Sequence, residues 1–177
     1  MLIGPPGAGK SRIGKTVARE LGARFIDTDR VIVAVHGSIT NIFDTHGEAH
    51  FRALEREAVR EALASKEHGE RVVALGGGAI LNADTQHELA QHRVALITVT
   101  AEAVRERLNT SKRPLLAGGM ESWVRLAEER RPIYESLADS VWDTSHLPVS
   151  LIAQRVAEWV RQGATGKDGA VRREGSE

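Results

Sequence analysis

The octapeptide Gly4-Pro5-Pro6-Gly7-Ala8-Gly9-Lys10-Ser11 brings together the residue types that hold a polyphosphate. It meets the Walker A spacing, G-x-x-x-x-G-K-[ST], at every specified position. Glycines around Ala8 let consecutive backbone N–H groups curl inward as an anion-binding nest. Lys10 then reaches the β- and γ-phosphates, and the Ser11 hydroxyl is a ligand for Mg2+. The run from Arg12 to Leu21 reads as a helix whose N-terminus faces the same anion. A glycine-proline turn with no ligand is the bland alternative. The sequence predicts a nucleoside triphosphate site.

Other clusters carry chemistry as well. Asp27 and Asp29 stand two apart at the end of an expected strand, Arg24–Asp29, so their side chains lean the same way. One carboxylate can hold Mg2+ through water while the other orients and deprotonates an acceptor hydroxyl. Alternatively, Asp27-Thr28-Asp29 only caps the following helix. Arg52 and Glu55, three apart on a helix, form either a surface ion pair or a braced guanidinium fork for a substrate carboxylate. Gly76-Gly77-Gly78 is a loose turn or a place where backbone must approach a ligand closely. Ser111-Lys112-Arg113-Pro114-Leu115-Leu116 is a basic lid for the transferring phosphate, or solvated loop charge. Arg130 and Arg131 are surface charge or a substrate clamp. The seven histidines lack metal-ligand spacing and read as structural or solvent-facing. Three tryptophans are too few and dispersed for a nucleic-acid stacking surface.

These clusters need a frame. The 177 residues suffice for one domain with a proper core, and 24 basic against 24 acidic residues favour neither nucleic acid nor a membrane surface as partner. Absence of cysteine excludes disulfides, thiolate metal sites and thiol nucleophiles. No apolar run approaches membrane-spanning length, no signal peptide precedes the phosphate loop, and a cytoplasmic protein is expected. Expected strands at 1–3, 24–29, 71–75, 93–99 and 140–142 alternate with helices at 12–21, 31–35, 48–65, 85–91, 101–108, 121–137 and 149–161. Pro132 is expected to interrupt the sixth helix, and Ile39–Phe43 reads as a short apolar turn. Residues 109–120 read as a loop and 162–177 as a disordered tail. The alternation predicts an α/β, three-layer αβα domain over residues 1–161 on a parallel sheet of five strands. Ligands bind beyond the carboxyl ends of such strands. The Walker loop, Asp27/Asp29 and the triple glycine each follow a strand, so they should share one cleft. The first strand looks clipped: either the chain starts further upstream or its central strand is unusually short.

Read in order, GPPGAGKS (Gly4–Ser11), FIDTD (Phe25–Asp29), GEAHFRALE (Gly47–Glu55), LGGG (Leu75–Gly78), RPLL (Arg113–Leu116) and RRPIY (Arg130–Tyr134) resemble the shikimate kinase family. The match covers nearly the whole chain up to the tail. The resemblance implies a monomeric P-loop kinase with a mobile lid at 109–120 and substrate-binding helices at 30–65. It implies transfer of the ATP γ-phosphate to the 3-hydroxyl of shikimate, with Mg2+, in aromatic amino-acid biosynthesis. Lys10 would cradle the phosphates, and Ser11 would bind Mg2+ with Asp27 behind a water. Asp29 would hold the shikimate hydroxyls and act as base. Arg52 and Arg130 would clamp the carboxylate, Gly76, Gly77 and Gly78 would close over the ring, and Arg113 would be the lid arginine on ATP. Lys10, Asp29 and Arg113 form the implied catalytic set, and Gly7, Ala8, Gly9, Ser11 and Arg12 complete the nucleotide contacts.

The chain departs from the family at three places. Arg12 stands where the family usually has Thr, which removes one phosphate-touching hydroxyl. Gly37-Ser38-Ile39 is a residue shorter. The adenine-side loop Asp143–Pro148 is also short and lacks an arginine often found there, which makes Arg105 and Arg107 candidates for adenine contacts. Two rival readings differ in kind. Another small P-loop kinase, such as a gluconate kinase, need not carry Arg52, the triple glycine and Arg130 together. A non-catalytic nucleotide-binding regulator should have lost Lys10, Asp29 or Arg113, and all three are present.

Overall fold

The computed structural model describes residues 1–64, 69–109 and 119–163. Five strands, β1 (Leu2–Ile3), β2 (Arg24–Asp27), β3 (Arg71–Ala74), β4 (Ala95–Thr98) and β5 (Ser140–Asp143), form one sheet in the order β2-β3-β1-β4-β5. Every pair is parallel. The helices are α1 (Lys10–Leu21), α2 (Thr28–His36), α3 (Ile39–Ala64), α4 (Ala83–Leu89), α5 (Ala101–Asn109), α6 (Gly119–Leu137) and α7 (Val149–Gly163).

Side-chain alternation along the strands makes the layers. Leu2, Val72, Ala74, Ala95 and Ile97 pack with Val17 of α1 and with Ile152 and Val156 of α7. Their neighbours Ile3, Val73, Leu75, Val94 and Leu96 face the other way, toward Val59, Ile80 and Tyr134. Both sheet faces are therefore covered, which is what an all-parallel sheet requires. A third cluster of Ile32, Ile42, Phe51 and Ala58 fastens α2 to α3, the helices that carry Asp29, Arg52 and Glu55.

Several local expectations are corrected. The strand of 24–29 stops at Asp27, whose carboxylate accepts the Arg30 N–H at 3.2 Å and caps α2. Thr28 and Asp29 are helical, so the two carboxylates do not share a strand face. Ile39–Phe43 is helix rather than turn, because Ile42 is needed in the third cluster. Gly47, at φ 80° and ψ 171°, breaks α3 into two segments, and the second begins where the glycine predicted. α6 runs through Pro132 without the expected break. The residue is exposed, so water can serve the Glu128 carbonyl that a proline cannot reach. Gly119 and Met120, expected in a loop, open α6.

The lid segment Ser111–Leu116, with Arg113, and the tail beyond 163 lie outside the described residues. No helix among the described residues is long and apolar enough to cross a membrane. β1 is short and central: Leu2 pairs with both Ala74 and Ala95. Nothing in β1 stands opposite the first residues of β3, and a cavity of about 280 Å³ lined by Met1, Leu2, Val17, Arg71 and Trp159 lies there. That end of the sheet is opposite the phosphate loop.

Candidate active site

The phosphate loop is built by turning its carbonyls outward. Lys10 Nζ donates to the Gly4 and Pro5 carbonyls at 2.7 and 3.0 Å. Trp123 Nε1 of α6 donates to the Pro6 carbonyl at 2.8 Å. Arg107 Nη1 of α5 donates to the Gly7 carbonyl at 3.2 Å, and Thr144 Oγ1 lies 3.0 Å from the Ala8 carbonyl. In a trans peptide the N–H opposes the C=O, so fixing the Pro6 and Ala8 oxygens turns the Gly7 and Gly9 N–H groups the other way. Pro5 and Pro6 have no N–H, and the Ala8 N–H donates to the Pro5 carbonyl. Gly9 precedes α1 at φ 91°, and Gly4 at φ 139° touches β4: a methyl group there would lie 2.1 Å from the Ile97 carbonyl oxygen. A side chain at either position is excluded by conformation, and at Gly4 by space too.

Burial pulls the Lys10 ammonium down to about 8, against the attraction of Asp29 and Asp27. It is a cation waiting for a polyanion. Ser11 sits in the first turn of α1, beside the same N-terminus. The oxygen donors Ser11 and Asp27 suit Mg2+, which needs only one or two protein ligands besides phosphate and water. Among the described residues no cluster of three or more His or acidic side chains is placed to hold a metal.

The acceptor side is gathered by the triple glycine. A methyl group at Gly76 would fall 2.4 Å from Asp29 Oδ1 and 2.6 Å from Glu55 Oε1, and one at Gly78 would fall 2.0 Å from Arg52 Nη1. The three glycines thus let the backbone enter the carboxylate and guanidinium cluster. Gly76 N–H is held by the buried Thr28 hydroxyl at 3.0 Å, which ties the turn to the start of α2. Arg130 Nη1 and the Tyr134 hydroxyl both donate to the Gly77 carbonyl, at 2.9 and 2.6 Å. Burial pushes the Tyr134 phenol up to about 12, so it remains a donor at any working pH.

Glu55, 3% exposed, accepts from Arg52 Nη1 at 2.7 Å, while Glu48 accepts from Arg52 Nη2 at 2.9 Å. Arg52 is thus bridged between an exposed and a buried carboxylate. Burial raises the Glu55 carboxyl against the pull of Arg52. Burial also raises the Asp29 carboxyl, with Lys10 opposing and Asp27 reinforcing. A raised carboxyl is a better match to proton abstraction near neutrality than an ordinary aspartate.

The structure therefore brings together Lys10, Asp27, Asp29, Arg52, Gly76–Gly78 and Arg130. Arg113 falls outside the described residues. Arg12 is exposed, with its N–H on the Gly9 carbonyl. Of the two adenine candidates, Arg105 is exposed, whereas Arg107 binds the Gly7 carbonyl and both the hydroxyl and the carbonyl of Thr144. Trp123, Tyr134, Thr144 and Thr28 were not singled out by sequence reasoning. Each acts through a backbone carbonyl or amide, and such partners leave no spacing pattern in a sequence.

Comparison with known proteins agrees with this fold. The family model described as shikimate kinase matches residues 6–161. The shikimate kinase of Streptomyces coelicolor is 49% identical over 144 residues, 80% of this chain and 82% of that protein. The one from Thermobifida fusca is 47% identical over 152 residues, 84% of this chain and 87% of that protein. The solved structure of shikimate kinase from Acinetobacter baumannii, in complex with shikimate, superposes with a TM-score of 0.80 at 28% identity and covers 93% of each chain. The chain belongs to the shikimate kinase family.

Proposed function

We propose that this chain, an ATP-dependent phosphotransferase of the shikimate kinase family, moves the γ-phosphoryl group of ATP onto the 3-hydroxyl of shikimate with the following division of labour. The nest of Gly7, Ala8, Gly9, Lys10 and Ser11 binds the phosphates. Mg2+, held by Ser11 and through water by Asp27, would supply charge screening on the β- and γ-oxygens. Asp29 accepts the proton of the attacking hydroxyl, and the Gly76–Gly78 turn lies against the ring. Arg52, braced by Glu55 and Glu48, and Arg130, anchored on Gly77, bind the carboxylate. Arg113 approaches the transferring phosphate from the lid, and the enzyme works as a cytoplasmic monomer.

The observation that carries this reading is the Gly76–Gly78 turn, which gathers two carboxylates, Asp29 and Glu55, and two guanidinium groups, Arg52 and Arg130, beside the phosphate loop. An acid at one end of a small polyol and a hydroxyl at the other is the complement of that set. Loose transition states of phosphoryl transfer ask mainly for such positioning and charge. A coupled ADP-release assay with ATP and Mg2+ tests it, with shikimate, gluconate and no acceptor in parallel. Release that depends on shikimate alone is expected. Release with gluconate but not shikimate would overturn the acceptor assignment.

A further inference from the structure

Four residues, Pro5–Ala8, form the phosphate loop's first turn, and Trp123 contacts it. The Ala8 N–H donates to the Pro5 carbonyl at 3.3 Å, and Gly7 lies at φ 81°. Proline followed by a glycine of positive φ is the signature of a type II turn. The peptide between Pro6 and Gly7 is the one that turns over when a type II turn becomes type I. In the observed orientation its carbonyl points out to Trp123 Nε1 at 2.8 Å, so the Gly7 N–H points into the nest. In the flipped form a carbonyl would face the phosphates instead.

Trp123 is itself fixed. It is 4% exposed on α6, and Arg130 and Tyr134 follow it at seven and eleven residues, positions within about 20° of one helix face. Those two residues hold the Gly77 carbonyl, and the Gly77 backbone abuts the Pro6 ring: a methyl group at Gly77 would come within 3.1 Å of Pro6 Cδ. One rigid face of α6 thereby grips both ends of the Pro6–Gly77 contact.

We propose that Trp123 is a positioning residue for the nucleotide, selecting through its indole N–H the turn in which the Gly7 N–H faces the phosphates. The proposal rests on the reading of the loop as the nucleotide site and does not depend on the acceptor. The test is Trp123→Phe, which keeps an aromatic ring and loses the donor. MgADP affinity by calorimetry should weaken about two- to tenfold, the range of one net hydrogen bond. Shikimate affinity without nucleotide should change less, because the lost donor serves the Pro6 carbonyl while the acceptor side meets Pro6 only through packing of Gly77 on its ring.

An unchanged MgADP affinity, or equal weakening for both ligands, would overturn the proposal. Wild-type protein that binds MgADP but not shikimate would instead count against the acceptor assignment, and the Trp123 comparison would still be readable. If the variant does not fold, the wild-type protein decides by nuclear magnetic resonance. The Trp123 indole proton should show the shallow temperature coefficient of a hydrogen-bonded N–H, and a steep, solvent-like coefficient would refute it.

Discussion

Nucleotide binding should draw a proton onto Lys10. In the free protein burial holds this ammonium near a pKa of about 8, where an ordinary lysine has 10.5. Phosphate oxygens beside Nζ favour the charged form and should return it to the ordinary range. A group of pKa about 8 is about nine-tenths protonated at pH 7, about half at pH 8 and about a tenth at pH 9. Uptake on binding MgADP should therefore be ~0.1 proton at pH 7, ~0.5 at pH 8 and ~0.9 at pH 9. The terminal phosphate ionises near ~6 and adds little over this range. If only the ammonium form binds, affinity falls about tenfold from pH 7 to pH 9. Calorimetry in two buffers of different ionisation enthalpy gives the proton number at each pH, and Lys10→Met should abolish its rise.

The same shift fixes the sign of the stability profile. Between pH 8 and 10.5 the unfolded chain holds the proton and the folded chain does not, so stability climbs with pH across that window. The gain is at most about 3 kcal/mol, and MgADP should flatten it. A proton number near zero at pH 9, or the same value at pH 7 and pH 9, would refute the buried-lysine argument.

Four further outcomes are expected. Asp29→Asn should cost turnover about 10²- to 10⁴-fold with MgADP affinity held within a few-fold, and near-normal turnover would remove Asp29 from the chemistry. Since burial raises the Asp29 carboxyl, the acidic limb of kcat/KM in the wild type should fall above the ordinary aspartate range; a limb at the ordinary value would contradict that placement. Arg130→Ala should raise the KM for shikimate roughly 10- to 100-fold, in line with a charge-assisted hydrogen bond, and that for ATP far less. Equal effects on both would rule out the clamp. Gly76→Ala must push Asp29 or Glu55 aside, because its methyl would sit 2.4 and 2.6 Å from their oxygens. It should lower stability by about 1–3 kcal/mol in thermal denaturation and abolish shikimate-dependent turnover, and a fully active variant would mean the turn is looser than described.

Much of this was legible beforehand because repetition and spacing encode it. Strand runs separated by helices give the parallel sheet, and the Walker pattern gives the loop at the end of β1. The triple glycine and the Arg52–Glu55 pair were legible only as alternatives, and the burial of Glu55 beside Gly76 could not be read from spacing. The misses share a cause. Thr28 and Asp29 could not be told from strand residues, because the end of β2 depends on the cap bond from the Arg30 N–H to Asp27. Ile39–Phe43 lacked the length to declare itself helical until Ile42 met Ile32 and Phe51 in space. Thr28, Trp123, Tyr134 and Thr144 serve main-chain atoms 48, 117, 57 and 136 residues away, and such pairings have no period to find.

The outward carbonyls of the phosphate loop also set what hydrogen–deuterium exchange will report. Pinning the Pro6 and Ala8 carbonyls turns the Gly7 and Gly9 N–H groups the other way, and Lys10 and Ser11 open α1, where the first amides of any helix lack an intrahelical acceptor. Their backbone is nonetheless pinned by Lys10, Trp123, Arg107 and Thr144. Slow exchange is usually taken as a mark of rigidity, and here the two separate. These amides should exchange quickly in the free protein although the loop scarcely moves, and nucleotide should protect them without any rearrangement of the chain. Exchange at this loop therefore counts bound nucleotide, and it says nothing of local unfolding.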